Sequence, residues 1–324
     1  MPRRWAAWRL WGRMLSGARL PALVGGGEKV GWRVGNPPQV GNLPHNMTRT
    51  VSIVGVGLIG GSFALALRKA GFSGRIIGVS SPQTVRAALE MGVIDDAQPL
   101  EPAAAVSDLI YLAQPIERII QTLGVLDAHV RPGTLITDAG STKRAIVDKA
   151  MHCVRRGRFV GGHPMAGKES RGVQEAEADL FRDRPYVLTG RDPELEEWIE
   201  RIGARLVFLN AAEHDRLVAL TSHVPQLIST ALANLIGHEA NAQKVAGPAA
   251  IDLTRLAASP YEIWRDIFAT NAEAIDVALA GFIKKMEEIR SALASPRMER
   301  EFEVAREGAQ ALRSPGRLRK GDYE

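Results

Sequence analysis

From Thr50 onward the chain alternates two kinds of apolar pattern. Short apolar runs, at Val51–Gly55, Arg75–Val79, Leu109–Ala113, Thr134–Thr137, Phe159–Gly161, Tyr186–Thr189 and Leu206–Leu209, have the length and the glycine- or proline-marked boundaries of buried strands. Between them lie stretches whose apolar residues recur three and four apart, as helices require: Ile59–Ala70, Pro82–Met91 with proline in its first turn, and Ile116–Ala128. Strands separated by helices of this length predict a doubly wound α/β fold, a parallel sheet covered on both faces.

After about Ala212 the strand pattern stops. His214–His238 reads as one long helix carrying Leu217, Leu220, Val224, Leu227, Ile228, Ala231 and Leu235, with a kink or break expected at Pro225. Ala249–Ala257 and Pro260–Ala294 continue as helices. A helical half with apolar residues on several faces needs a partner, so a homodimer formed through it is expected. The expected organisation is an N-terminal extension at 1–46, a dinucleotide-binding domain at 47–212, a helical substrate and dimerisation domain at 213–312, and a short tail at 313–324.

Charge changes this picture little once it is located. The 324 residues hold 41 Lys+Arg against 36 Asp+Glu, a formal charge of +5. Residues 1–46 carry +6 of it and the remaining body −1, so the body offers no electrostatic footprint for nucleic acid. The extension also holds Trp5, Trp8, Trp11 and Trp32 among arginines, which would suit a membrane-surface helix. It lacks the apolar core of a secretory signal, and Met47 stands just before the first strand. The plainer reading, an upstream segment of little order, is the expectation. One cysteine, Cys153, excludes an intrachain disulfide framework and any cysteine-built zinc site. No apolar run reaches the roughly 18 residues of a membrane span. A cytoplasmic protein is expected.

The candidate chemistry starts at Gly55-Val56-Gly57-Leu58-Ile59-Gly60, which follows a strand and opens a helix. In that context the glycine pattern points to a Rossmann-type dinucleotide site. Gly55 permits the tight turn, Gly57 admits the pyrophosphate, and Gly60 lets helix and strand pack closely. Leu58, Ile59, and Ala113 with Gln114 after a later strand, complete the expected cofactor contacts. The second strand ends Gly78-Val79-Ser80-Ser81 without the acid that would hold a ribose 2′-hydroxyl. Ser80 favours NADP, although no arginine is adjacent, Arg86 being the nearest downstream; NAD stays open.

Three further clusters carry polar groups. Asp138-Ala139-Gly140-Ser141-Thr142-Lys143 and Gly161-Gly162-His163-Pro164-Met165-Ala166-Gly167 both sit at strand ends, where ligands bind in open α/β sheets. A histidine there suits a general base near neutral pH. Asp252-Leu253-Thr254-Arg255 places in the helical half a guanidinium that can grip a carboxylate in two-point fashion. His214 and His223 share a helix nine residues apart, which sets them on opposite sides of a straight helix, so no shared metal is expected.

With these motifs in this order, residues 50–294 resemble the prephenate/arogenate dehydrogenase family of tyrosine biosynthesis. GVGLIGGS at 55–62, TDAGSTK at 137–143, GGHPMAG at 161–167, HDRLVALTSHVPQ at 214–226, DLTR at 252–255 and WRDIFATN at 264–271 carry the resemblance. It implies a metal-free enzyme that oxidatively decarboxylates prephenate to 4-hydroxyphenylpyruvate, or arogenate to tyrosine, with NAD or NADP. His163 would accept the proton of the ring hydroxyl. Ser141 would hydrogen-bond that hydroxyl and help orient His163. Arg255 would bind the ring carboxylate, with His223 and Gln226 near the substrate. Some prephenate-specific members carry a histidine where this chain has Gln226, which implies dual specificity for the keto and amino side chains. Too few residues flank the match for an appended regulatory or mutase domain, so a stand-alone dehydrogenase is expected. Two other readings compete: a β-hydroxyacid-type dehydrogenase, which would want a catalytic lysine on a core helix, and a non-catalytic redox sensor, which would have no use for a base and a carboxylate clamp together.

Overall fold

The structure, a computed structural model, describes residues 49–168 and 170–313. The extension at 1–46 and the tail after 313 lie outside them. The first half runs β1 (Thr50–Val54), α1 (Leu58–Lys69), β2 (Arg75–Val79), α2 (Pro82–Glu90), β3 (Asp96–Ala97), α3 (Leu100–Val106), β4 (Leu109–Leu112), α4 (Ile116–Leu126), β5 (Leu135–Asp138), α5 (Arg144–Cys153) and β6 (Arg158–Val160). These six strands form one parallel sheet in the order β3-β2-β1-β4-β5-β6. The order reverses between β1 and β4, and the crevice beyond the strand ends at that point is where such sheets bind ligands.

Alternation along the strands builds a core on each face. Leu109 and Tyr111 pack with Phe63, Leu67, Ile76 and Trp198. Ile110 and Leu112 turn the other way, onto Ile119, Leu123, Ile136 and Ile146. Being covered on both sides, the strands read as unbroken apolar runs.

The later strands depart from the expectation of one sheet. β7 (Gly162–Pro164), β8 (Pro185–Leu188) and β9 (Arg205–Phe208), with α6 (Pro193–Arg201) between the last two, form a separate three-stranded sheet. β7 pairs with β8 antiparallel and β8 with β9 parallel. Only Gly161 separates β6 from β7, too short a link for the crossover that a parallel neighbour needs. The chain therefore leaves the large sheet there, next to His163.

The helical half comprises α7 (Ala211–Val218), a π-helical segment Ala219–His223, α8 (Val224–Gly237), α9 (Ala242–Val245), α10 (Pro248–Thr254), a 3-10 turn Arg255–Ala258, α11 (Tyr261–Ala292) and α12 (Arg297–Arg313). The break expected at Pro225 takes the form of the π segment ending just before it. A proline has no N–H to donate and crowds the preceding turn, and the wider turn absorbs this. α11 bends at Asn271, whose φ of −134° is non-helical.

The two halves share polar contacts. Asp215 on α7 accepts the backbone N–H of Lys143 at 2.6 Å and of Arg144 at 3.0 Å, capping α5, which has no side-chain cap of its own. Asp266 on α11 accepts Glu117 N–H at 3.2 Å at the start of α4. The hydroxyls of Thr142 and Thr270 lie 2.8 Å apart. Ala219, Ile267 and Ile275 complete the apolar cluster on the sheet's second face. Among the described residues no helix is long and apolar enough to cross a membrane.

Candidate active site

At the switch point, Gly55 adopts φ +97°, and a Cβ on it would meet the carbonyl of Ala113 at 2.7 Å. A Cβ on Gly60 would lie 2.2 Å from the carbonyl of Gly55. Gly57 is different. It is the N-cap of α1, no side chain caps that end, and a Cβ there would meet nothing within 4 Å. The first N–H groups of α1 therefore open onto free space, with the positive end of the helix dipole behind them. This cradle fits the pyrophosphate of a dinucleotide. Leu58 and Ile59 are part-exposed around it, as are Ala113 and Gln114 at the end of β4, where Gln114 Oε1 accepts Thr122 Oγ1 at 2.9 Å. Ser80 is exposed at the end of β2, while Ser81 caps α2 by accepting Thr84 N–H.

His163 lies on β7, half-buried, with Nδ1 at 2.8 Å from Nε2 of His214. His214 Nδ1 lies 2.7 Å from Asp215 Oδ1. The carboxylate can only accept, so His214 holds its proton on Nδ1 and presents Nε2 as an acceptor. His163 Nδ1 then donates to it, and the lone pair of His163 falls on Nε2. Among the described residues Nε2 has no hydrogen-bond partner. Burial, with the charges of His214, Lys143 and His223 adding to it, holds the His163 pKa well below the ordinary value of 6.5. At neutral pH the ring is a free base.

The sequence reading weighed His214 only as a metal ligand, gave Asp215 no role of its own, and assigned the orientation of His163 to Ser141. Ser141 stands at the end of β5, half-buried, and makes no hydrogen bond to His163. His214 and His223, expected on opposite sides of one helix, have different partners: His214 bonds His163 and Asp215, and His223 lies against Asn271. Asn271 Nδ2 donates to the backbone carbonyl of Asp215 at 2.8 Å and lies 3.3 Å from His223 Nδ1, which links α11 to both ends of this helical stretch. Burial lowers the His223 pKa to about 4. Among the described residues no group of three or more His, Cys, Asp or Glu side chains is arranged to hold a metal ion.

His223 and Gln226 are only 1% and 5% exposed, and both are engaged with protein partners. Gln226 Nε2 donates to the Leu256 carbonyl at 2.9 Å, and Ser229 Oγ accepts Ala257 N–H at 3.0 Å. These bonds stitch α8 to the turn that begins at Arg255, whose side chain is exposed.

Fold and site together define a class: a Rossmann-type dehydrogenase whose base is held between the sheet and a helical half. The chain belongs to the prephenate dehydrogenase family. Residues 63–212 match the nucleotide-binding domain of prephenate dehydrogenase and residues 210–307 its dimerization domain. Prephenate dehydrogenase of Lactococcus lactis is 32% identical over 82% of this chain and 77% of its own length. Cyclohexadienyl dehydrogenase of Zymomonas mobilis is 31% identical over 76% of this chain and 88% of its own. The structure of Aquifex aeolicus prephenate dehydrogenase with hydroxyphenyl propionate and NAD+ superposes with a TM-score of 0.75 at 28% identity, covering 82% of this chain and 98% of that one.

Proposed function

We propose that this chain is a cytoplasmic prephenate and arogenate dehydrogenase that works as a homodimer, with its dinucleotide domain ending and its helical domain beginning at about residue 212. One observation carries the chemistry: His163 is tethered through Nδ1 to His214, which leaves the lone pair on its Nε2 available to take a substrate proton. Nε2 takes the proton of the ring hydroxyl as the carbinol carbon loses hydride. Ser141 hydrogen-bonds the same hydroxyl. A bound nicotinamide dinucleotide supplies the hydride acceptor. Arg255 pairs with the carboxylate on the quaternary ring carbon, and Gln226 and His223 hold the segments around it. The bond to that carboxylate then breaks, CO2 leaves, and its electron pair completes the aromatic ring.

Ser80 at the end of β2, with no carboxylate beside it, supports NADP over NAD. Gln226, standing where some prephenate-specific relatives carry a histidine, supports tolerance of both substrate side chains. Large apolar residues exposed on the helical half, among them Leu235, Val245, Leu253, Val277 and Leu293, support a second copy as the partner. A groove of about 690 Å³ between α7 and α11, lined by Leu220, Val277 and Phe282, offers the matching concavity.

Steady-state assays with prephenate or arogenate, each with NAD or NADP, test this reading. Turnover with both substrates and a higher kcat/KM with NADP are expected. No turnover in any of the four combinations, from folded protein that binds a dinucleotide, would overturn it in favour of a redox sensor.

A further inference from the structure

Beneath the base lies an ion pair that the mechanism above does not use. Asp138, at the end of β5, and Lys143, just before α5, have fully buried side chains and pair through Asp138 Oδ2 and Lys143 Nζ. The same carboxylate accepts two backbone N–H groups: Gly140 at 2.8 Å on Oδ2 and Gly162 at 3.1 Å on Oδ1. Each glycine directly precedes a residue of the proposed chemistry, Gly140 before Ser141 and Gly162 before His163. Both positions are too tight for a side chain. A Cβ on Gly140 would lie 2.9 Å from Asp138 Oδ2 and 2.5 Å from Ile146 Cδ1. A Cβ on Gly162 would lie 2.6 Å from the Asp138 carbonyl oxygen.

The contacts close a ring around His163. Asp138 holds Gly162, and the next residue, His163, bonds His214. His214 bonds Asp215, which accepts the backbone N–H of Lys143, and the Lys143 ammonium returns to Asp138. The ring joins the C-terminal end of β5, the start of β7 and helix α7. We infer that Asp138 is a positioning residue, the shared anchor that sets His163 and Ser141 at a fixed separation by holding the backbone just before each of them.

The physical basis is selective. A charged acceptor binds N–H groups more strongly than a neutral one, and buried charges hold geometry only when each is matched. Here Lys143 matches the charge while the two glycines take up the directed lone pairs. Burial lowers the Lys143 pKa, and the charges of Asp138 and Asp215 oppose that fall. Tyr111 and Tyr186, whose hydroxyls lie 3.2 Å apart close by, are pushed up by burial and stay protonated.

The inference rests on the dehydrogenase reading, and two variants of the full chain separate its failure from that of the reading. Asp138→Asn keeps the size, weakens the anchor and leaves Lys143 without its charge partner. Asp138→Asn combined with Lys143→Met removes both charges and the cost of burying one alone. For each, dinucleotide Kd, kcat and substrate KM are measured alongside thermal unfolding. A displacement of about 1 Å at a catalytic group costs on the order of 100-fold in rate. A kcat loss of roughly that size is expected in both variants, with dinucleotide Kd and substrate KM within about threefold of native. Recovery of kcat in the double variant would show that Asp138 only neutralises Lys143, and would overturn the inference. So would dinucleotide affinity falling in parallel with kcat, which marks a general loosening of the sheet. If Asp138→Asn alone fails to fold, the double variant, with no orphaned charge, carries the test. Inactivity of the native protein would count against the dehydrogenase reading instead.

Discussion

Nδ1 of His163 lies 2.8 Å from Nε2 of His214, two residues 51 positions apart in sequence. This contact fixes the tautomer of the base. His214 is pinned by the Asp215 carboxylate and can only accept from His163, which leaves the His163 lone pair on Nε2. Without His214 the ring could rotate or place its proton on Nε2, and either change removes the base.

His214→Phe keeps a ring of similar size and deletes both nitrogens. The expected result is a kcat lower by about 10- to 100-fold, the range general-base positioning commands, with dinucleotide affinity unchanged. Steady-state rates with a dinucleotide titration check it, and a kcat within threefold of native would remove His214 from the mechanism. The native pH profile has its own sign. Burial, with neighbouring charge adding to it, holds His163 well below 6.5, so the acid limb of kcat/KM is expected to lie below pH 6.5.

Gly57 and Gly60 separate binding from folding. A Cβ at 57 meets no protein atom, while one at 60 would lie 2.2 Å from the Gly55 carbonyl. Gly57→Ala is expected to unfold at the native temperature yet lose at least about tenfold in dinucleotide affinity, because its methyl stands where the pyrophosphate approaches. Gly60→Ala is expected to lower the unfolding midpoint itself, since helix and strand must separate. Differential scanning calorimetry with and without dinucleotide reads both. Equal stability losses in the two variants would contradict this assignment.

The contrast between the two glycines follows what the sequence displays and what it hides. Five parallel strands and the glycine cradle were legible because their signals are local: an apolar run, then a turn, then a helix start. β3, of two residues, is too short for periodicity to show. The second sheet was hidden because β7 reads as part of the loop around His163, and pairing direction depends on the Gly161 link. His163 stood out beside a strand end, but its partner His214 looked like one more residue on a helix. The π segment, whose His223 meets Asn271 of α11, depends on how α7 and α8 meet Pro225 and α11. No spacing along one helix reveals that.

The exposed apolar side of the helical half yields a prediction about assembly. Val277 is 68% exposed on α11 and also lines the groove against α7. Val277→Glu would bury a carboxylate in the proposed dimer seam without touching the His163 site. Sedimentation velocity is expected to show a dimer for the native protein and a dimer Kd weaker by at least about tenfold for the variant, as an unpaired buried charge costs more than 1.4 kcal/mol. A native protein that sediments as a monomer would reject the dimer.

His223 gives folding a pH dependence of known sign. Asn271 Nδ2 donates toward His223 Nδ1, and burial lowers the ring's pKa to about 4 against 6.5 when unfolded. A proton on Nδ1 would set donor against donor. Between pH 6.5 and 4 the unfolded chain therefore binds a proton that the folded chain refuses, and stability rises with pH across that window. The contribution is complete above pH 6.5 and is lost as pH falls toward 4, by roughly 3 kcal/mol for a shift of this size. Other groups titrate too, so the comparison is with His223→Gln, which keeps an acceptor but cannot gain charge. Urea denaturation of both proteins from pH 7 to 4.5 gives the difference in unfolding free energy. That difference is expected to move steadily against the native protein as pH falls, and a flat difference would mean that His223 accepts its proton in the folded state at no cost.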